Sequence, residues 1–228
     1  MSSGVASSVV RAPVKGLFQL WSRVRLIGFF LLAPAVILLS SCAGVEPVVK
    51  IGLVAPFEGR HRSLGYDAVY AARLAIREVN AVGGVGGVRV ALVALDDGGN
   101  PELARQAAAS LVVDPDVVAV VGHGLPGVTD AARPLYGQGL LPLLPLGQAP
   151  FSPVDPGSLP DTFLDAYAVV TPFDEVAGSY AGPTYDALWL LLEALELAKM
   201  EGAITRESVA AALDGLQYDG VTGRVYRP

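Results

Sequence analysis

The side chain with the most definite chemistry in this sequence is Cys42, the only cysteine, which therefore has no partner for a disulfide within the chain. Residues 26–39, immediately before Ser40 and Ser41, are fourteen uncharged and mostly apolar residues. Four basic residues and no acidic one come earlier still: Arg11, Lys15, Arg23 and Arg25. A basic segment, a short apolar segment and small residues at a cut are typical of a secretory signal. The apolar segment is shorter than the ~20 residues that a membrane-spanning helix needs.

The tetrapeptide Leu39-Ser40-Ser41-Cys42 resembles the lipobox of bacterial lipoproteins. The resemblance implies cleavage before Cys42 and a diacylglyceryl thioether on its sulfur, so that the protein is anchored to a membrane by lipid on its extracytoplasmic side. We therefore expect residues 1–42 to be a lipoprotein signal peptide with its lipobox, residues 43–47 to be a tether, and Cys42 to be the lipidation site. An ordinary anchor helix with a chance cysteine is the alternative.

The charge and histidine content exclude several classes of function. The chain has 22 Asp and Glu against 16 Lys and Arg, and four of those basic residues precede Cys42. Such an acidic chain lacks the electrostatic surface that nucleic-acid binding requires. His61 and His123 are the only histidines, so we expect no metal site and no cofactor. No serine or threonine lies in a recognisable nucleophile motif, which argues against an enzyme.

Apolar segments of strand length alternate with segments of helical periodicity after residue 47. The predicted strands are 48–55, 88–95, 117–121 and 140–146, and the predicted helices between them are 65–82, 101–113 and 128–137. This order predicts an α/β fold, an open mostly parallel sheet with helices on both faces. Residues 148–165 are proline-rich and aperiodic, and we expect a connection there. A short strand at 166–171, helices at 184–200 and 205–213, and a hairpin at 218–226 follow.

Three loops are expected at the carboxyl ends of the strands, where sheets of this kind bind ligands: 56–64, 96–100 and 122–127. The helix that begins after Gly122 could bind an anion through free N–H groups, although an ordinary glycine turn has the same sequence. His123 could contact a ligand, but a turn residue is the commoner role for a lone histidine. Asp96 and Asp97 could form a catalytic or metal pair; we favour a structural role at the strand end.

The first half of this region resembles type I periplasmic binding proteins of the branched-chain amino acid (Leu/Ile/Val and amide) group. The resemblance rests on VVKIGLVAPFEG, GYDAVYAARLAIREVNAVGGVGG, VRVALVALDDGGNPELARQAAASLV and DVVAVVGH, and later on TYDALWLLLEALELAKM and ITRESVAAALDGLQYDGVTGRV. It implies a solute receptor that delivers a small ligand to the permease of an ABC importer. The ligand would be an amino acid or amide bound between two lobes.

The chain departs from that family in one large respect and in its ligand contacts. Residues 147–165 stand where the second lobe is expected, so we predict a single lobe made of 48–147 and 166–228. A Ser-rich turn of the family aligns with 122–129, where Pro126 has no N–H to donate. The resemblance places the ligand-binding residues at Leu64, Gly122, His123, Gly124, Thr129 and Gln148.

Three hypotheses about function remain open at the level of sequence. The first is an extracytoplasmic, lipid-anchored solute-binding component of an ABC importer, with binding weakened by the missing lobe. The second is a single-lobe relic or interaction module that binds no solute. The third, a hydrolytic or acyl-transfer enzyme on the same sheet, lacks a recognisable nucleophile.

Overall fold

The computed structural model describes residues 47–172 and 175–227. The predicted signal peptide, Cys42 and all but the last residue of the predicted tether lie outside these ranges. Within them, no helix is both long enough and apolar enough to cross a membrane.

Four apolar segments of the described chain pair as a wholly parallel sheet in the order β2-β1-β3-β4. The strands are β1 Val48–Ala55, β2 Arg89–Asp96, β3 Val117–His123 and β4 Leu143–Leu146. Every residue of β3 is buried, as expected of a continuous apolar run covered on both faces. The strand β2 lies at the edge and is more exposed, which the apolar sequence of 88–95 does not reveal.

Six helices are found in the described chain, and four of them cover the two faces of the sheet. The helices are α1 Arg62–Ala81, α2 Pro101–Val113, α3 Pro126–Gln138, α4 Asp161–Val170, α5 Ala181–Met200 and α6 Arg206–Ala212. One core joins α1 and α5 to the side of β1 that carries Ile51 and Leu53. The other joins α2 and α3 to the side that carries Val54. The predicted α/β fold class is thereby confirmed.

Local sequence sets several helix boundaries. Asn100 caps α2 by accepting hydrogen bonds from the N–H groups of Glu102 and Leu103, and Pro101 occupies the first helical position. Thr205 and Ser208 form a reciprocal capping box at the start of α6.

The prediction of a strand at 166–171 is wrong, because these residues belong largely to α4. Phe163 and Tyr167, four residues apart, are both buried against the core that contains α1 and α5. That spacing is helical, and a short apolar run does not distinguish a strand from a buried helix. The sheet therefore has four strands in the described chain rather than about five. The predicted boundary at residue 165 falls inside α4.

The return segment ends in an antiparallel hairpin, as predicted, with strands β5 Gln217–Gly220 and β6 Gly223–Tyr226. Residues 147–180 join β4 to α5, and they include the short 3-10 turn Pro156–Ser158 as well as α4. Glu46–Pro228 cluster as one compact unit. Both segments that flank the proline-rich connection thus belong to the same body.

Candidate functional site

The loops that follow the parallel strands meet at the carboxyl edge of the sheet. The Phe57 N–H after β1 donates to Asp96 Oδ1 at the end of β2, over 2.7 Å. A Cβ built on Gly99 would lie 3.2 Å from Leu125 Cδ1 and 3.4 Å from His61 Cδ2. Loops 56–64, 96–100 and 122–127 are therefore in contact, as the topology of the predicted sheet requires. We call this region the carboxyl-edge site.

The loop after β4 joins the same site through backbone packing. The Gly147 backbone lies against the Gly124 carbonyl so closely that a Cβ at Gly147 would overlap that oxygen. The Gly147 N–H donates to the Phe151 carbonyl over 2.9 Å, which fixes the turn that carries Gln148. Gln148 is thus brought beside the turn after β3.

The adjacent carboxylates Asp96 and Asp97 hold these loops in place. Asp96 Oδ1 accepts from the Gly98 N–H (2.9 Å) as well as from Phe57, and Asp97 Oδ1 accepts from the Gly99 N–H (2.8 Å). Asp97 is fully buried. The predicted structural role of the pair is confirmed. In the described chain no three His, Asp or Glu side chains lie close enough together to hold a metal ion.

His123 is buried, and both of its ring nitrogens have hydrogen-bond partners inside the protein. Its Nδ1 lies 2.8 Å from Asp97 Oδ2, and its Nε2 lies 3.0 Å from the Tyr136 hydroxyl. The carboxylate only accepts, so Nδ1–H donates to Asp97 and Nε2 accepts the Tyr136 hydroxyl proton. Burial and the nearby negative charge of Asp97 raise the pKa of Tyr136, which keeps its proton. The His123 side chain, with 0% of its surface exposed, therefore does not reach a ligand at the carboxyl edge.

The Thr129 hydroxyl also has its hydrogen-bond partner inside the protein. Its hydroxyl donates to the Leu125 carbonyl over 3.1 Å, one turn back along α3, and the residue is fully buried. Of the two polar side chains that the sequence places after β3, neither offers a free group to the surface.

Leu64, Gly122 and Gly124 form the apolar floor of the carboxyl-edge site. Gly122 faces Val54 of β1 with φ of 154°, and a Cβ there would overlap the Val54 carbonyl. A Cβ on Gly124 would lie 2.6 Å from Leu64 Cδ1, so the buried leucine covers this glycine. Only glycine allows both close approaches.

Two polar groups at this edge have no partner in the described chain. Gln148 is half-buried, and its Nε2 atom is buried without a hydrogen bond. The N–H of Gly127, the second residue of α3, also has no acceptor, while Pro126 before it has no N–H. Leu125 precedes the helix without a side-chain cap. At this edge the Gly127 N–H is exposed and free, and the buried Gln148 amide is a second donor without a partner.

Sequence reasoning missed the link between Asp97, His123 and Tyr136. A histidine that ends a wholly apolar strand is a signal of burial, but its second partner comes from the far end of α3. That partner is thirteen residues away and emerges only when α3 packs on β3.

Comparison with known proteins agrees with this geometry. A family model described as periplasmic binding protein matches residues 48–159. An amino acid binding protein of Pseudomonas aeruginosa is 34% identical over 98 residues, which cover 42% of this chain and 26% of that protein. The Leu/Ile/Val-binding protein of Escherichia coli K12 is 30% identical over 124 residues, covering 54% of this chain and 34% of that protein. The chain thus aligns with about a quarter to a third of the length of these curated relatives.

Solved structures show the same fold. The branched-chain amino acid transporter substrate-binding protein LivJ from Streptococcus pneumoniae, in complex with isoleucine, superposes with a TM-score of 0.65 at 15% identity, covering 78% of this chain and 91% of that one. A putative branched-chain amino acid ABC transporter protein from Rhodospirillum rubrum gives 0.63 at 18% identity, with 77% and 92% covered. Residues 48–159 are therefore similar to the periplasmic binding protein family, and the fold of the chain is that of its type I members.

Proposed function

We propose that this protein is the extracytoplasmic, lipid-anchored solute-binding component of an ABC-type importer for branched-chain amino acids or related small molecules, and that it binds its solute weakly. The observation that carries the proposal is the convergence of four loops at the carboxyl edge, all of them within the segment 48–159. Relatives of that segment are named for binding leucine, isoleucine and valine.

The remaining free groups at the carboxyl-edge site suit the carboxylate and side chain of an amino acid. The Gly127 N–H lies in the first turn of α3, where the helix dipole also favours negative charge. The buried Nε2 of Gln148 supplies a second donor. Leu64 and Leu125 offer apolar surface to an aliphatic side chain.

The same site explains why the binding should be weak. His123 and Thr129 are used inside the protein, and Pro126 has no N–H, so one lobe supplies two donors. Residues 147–180 build a connection and α4 within the same unit, so no second lobe between β4 and α5 closes over the ligand. A hydrogen bond that competes with water contributes about 1 kcal/mol. Losing three or four such contacts costs two to three powers of ten in affinity, at ~1.4 kcal/mol per decade.

Amide NMR spectra during a titration with leucine would test the location of this site. We expect fast-exchange shifts centred on Gly124, Gly127 and Gln148, with a dissociation constant of about 1 mM or weaker. Gln148→Ala should weaken the response several-fold. Gln138→Ala, on the exposed opposite end of α3, is the matched control and should leave it unchanged. Shifts confined to another part of the protein would contradict the assignment.

The alternative is an interaction module that binds no solute. The specific observation in its favour is that both polar side chains expected after β3 are fully buried and bonded within the protein. Under this alternative, leucine, isoleucine and valine would produce no shift at any concentration, while the permease would still bind the chain.

A further inference from the structure

A second cavity lies away from the carboxyl-edge site, between α4 and the segment just before α5. Its volume is about 480 Å³, within the range of ~300–1,000 Å³ that small-molecule sites occupy. Its walls include Pro156, Leu164, Tyr167, Ala168, Glu175 and Val176. None of these residues belongs to loops 56–64, 96–100 and 122–127 or to the turn that carries Gln148.

Tyr167 brings an unsatisfied polar group to this cavity. The residue is 1% exposed, and its ring packs edge-on against Tyr70 with centroids 6.4 Å apart. In the described chain its hydroxyl makes no hydrogen bond within the protein, and it is not one of the fully buried polar atoms that lack a partner, so its oxygen keeps some accessible surface. Burial, with the nearby charges of Asp67 and Glu175, raises the pKa of Tyr167, so the phenol keeps its proton. The accessible hydroxyl oxygen can therefore pair with a ligand in the cavity.

The electrostatic character of the cavity is negative. Glu175 lies in its wall, and Asp67 lies close enough for its charge to act on the Tyr167 hydroxyl. Burial is the main cause that raises the pKa of Asp67 to about 6, with the negative charge of Glu175 adding to it. Arg73, which stacks on Tyr70, is not part of the wall.

The wall is held in place rather than left as a loose loop. Asp67 of α1 accepts hydrogen bonds from the N–H groups of Gly178 (3.1 Å) and Tyr180 (3.2 Å). The Thr171 hydroxyl donates to the Glu175 carbonyl over 3.0 Å. The segment that carries Glu175 and Val176 is thus tied at both ends.

We propose that this cavity binds a small organic cation, a primary alkyl or arylalkyl ammonium. The ammonium group donates to the Glu175 carboxylate and to the Tyr167 hydroxyl oxygen, and the Tyr167 ring adds a cation–π contact. The hydrocarbon part packs on Leu164, Ala168 and Val176. An amino acid is excluded, because its carboxylate would be brought towards Glu175 and Asp67. The proposal is independent of solute binding at the carboxyl edge.

Three molecules share one hydrocarbon skeleton and differ in charge, so comparing them shows whether charge determines binding. Isopentylamine is a cation, leucine carries an ammonium and a carboxylate, and isopentanol is neutral. Calorimetric titration into the full-length protein in non-ionic detergent should show isopentylamine binding with a dissociation constant near ~1 mM or tighter. Isopentanol should bind at least about tenfold more weakly, as expected when a charge pair is lost. The heat of leucine binding, which the proposed function assigns to the carboxyl edge, should be the same in the parent and in Glu175→Gln.

Variants of the wall decide whether the amine uses this cavity. Glu175→Gln should weaken isopentylamine at least about tenfold, and Tyr167→Phe by several-fold. Glu201→Gln, an exposed acid at the end of α5, should change nothing. Thermal unfolding of each variant establishes that it folds. Equal affinity for isopentylamine in the parent and Glu175→Gln proteins, or equal affinity for the amine and the alcohol, would overturn the proposal. An undetectable interaction with isopentylamine would overturn it as well.

Discussion

His123 shows how two hydrogen bonds decide what a side chain can do. An exposed His123 at this edge could contact a ligand. The His123 ring instead lies between Asp97 and Tyr136 and is part of the core. The link ties the end of β3 to the end of β2 and to α3. Under the proposed function, the hydrogen-bond donors available to a solute at this edge are therefore backbone N–H groups and the Gln148 amide.

Tyr136→Phe should destabilise the protein by about 1–3 kcal/mol, because His123 Nε2 would stay buried without a donor. Urea unfolding measures this as a lower midpoint with an unchanged slope. Tyr226→Phe is the matched control: Tyr226 is 51% exposed, so its substitution should stay within about 0.5 kcal/mol. A Tyr136→Phe protein as stable as the parent would mean that the hydroxyl does not complete this link.

Asp67 should make the stability depend on pH. Its folded pKa of about 6 lies above the usual 3.8, so the folded state binds its proton more tightly than the unfolded state does. This contribution to stability is fully present below pH 3.8 and is lost as the pH rises through about 6. Asp67→Asn cannot ionise. The difference in unfolding free energy, parent minus variant, should therefore decrease as the pH rises from 3.8 to about 6 and stay constant at higher pH.

Urea unfolding at a series of pH values measures this difference. Asp67→Asn also loses one of the two acceptors for Gly178 and Tyr180, which adds an offset that does not vary with pH. Asp165→Asn, an exposed change on α4, should keep the pH profile of the parent. A parent-minus-Asp67→Asn difference that is constant across the window would refute the assignment.

At the scale of elements, one arginine of α6 donates hydrogen bonds to carbonyls of several other parts of the fold. The Arg206 guanidinium donates to the Val117 and Gly139 carbonyls, both over 2.9 Å. Its Nη2 also donates to three carbonyls at the end of α2, those of Leu111, Val112 and Asp114. Helix C-termini carry partial negative charge, so a cation is favoured there.

Arg206→Ala should therefore cost about 3 kcal/mol of stability, since hydrogen bonds from a charged donor are stronger than neutral ones. The midpoint of urea unfolding reports the loss. Arg133→Ala removes an exposed arginine of α3 and should cost at most about 0.5 kcal/mol. Similar midpoints for the two variants would show that the carbonyl cluster around Arg206 contributes little.

The elements that the sequence predicts well are those with long periodic or continuously apolar patterns. β1, α1, α2 and α5 are found near their expected positions, and the cap at Asn100 is found where its residue type requires. The error at 166–171 arose because five or six apolar residues fit a strand and a buried helix equally. The edge position of β2 and the contact of His123 with Tyr136 depend on tertiary packing, which no local pattern encodes.

At the scale of the whole molecule, the two chain segments on either side of residues 147–180 build one body. The sheet, the four covering helices and the hairpin all belong to the unit Glu46–Pro228. In the described chain the carboxyl edge is bounded by this unit alone, and the proposed weak binding of a small solute rests on that arrangement.

Anchoring of this body should depend on Cys42. We expect Cys42→Ala to abolish both the cleavage before residue 42 and the diacylglyceryl group, because the thioether cannot form. Mass spectrometry of the membrane fraction measures both. Ser41→Ala keeps a small residue at the cut and should be processed normally. Identical processed masses without lipid in the parent and Cys42→Ala proteins would contradict lipid anchoring.

The most direct test of the account is the affinity of the lipid-free monomer, beginning at Ala43, for leucine, isoleucine and valine. Isothermal titration calorimetry, with the monomeric state established by light scattering, measures it. We expect dissociation constants of about 1 mM or weaker, because one lobe offers two donors on an open edge. Micromolar or tighter binding by the monomer would contradict the account, since it would require contacts that a single lobe of this structure does not supply.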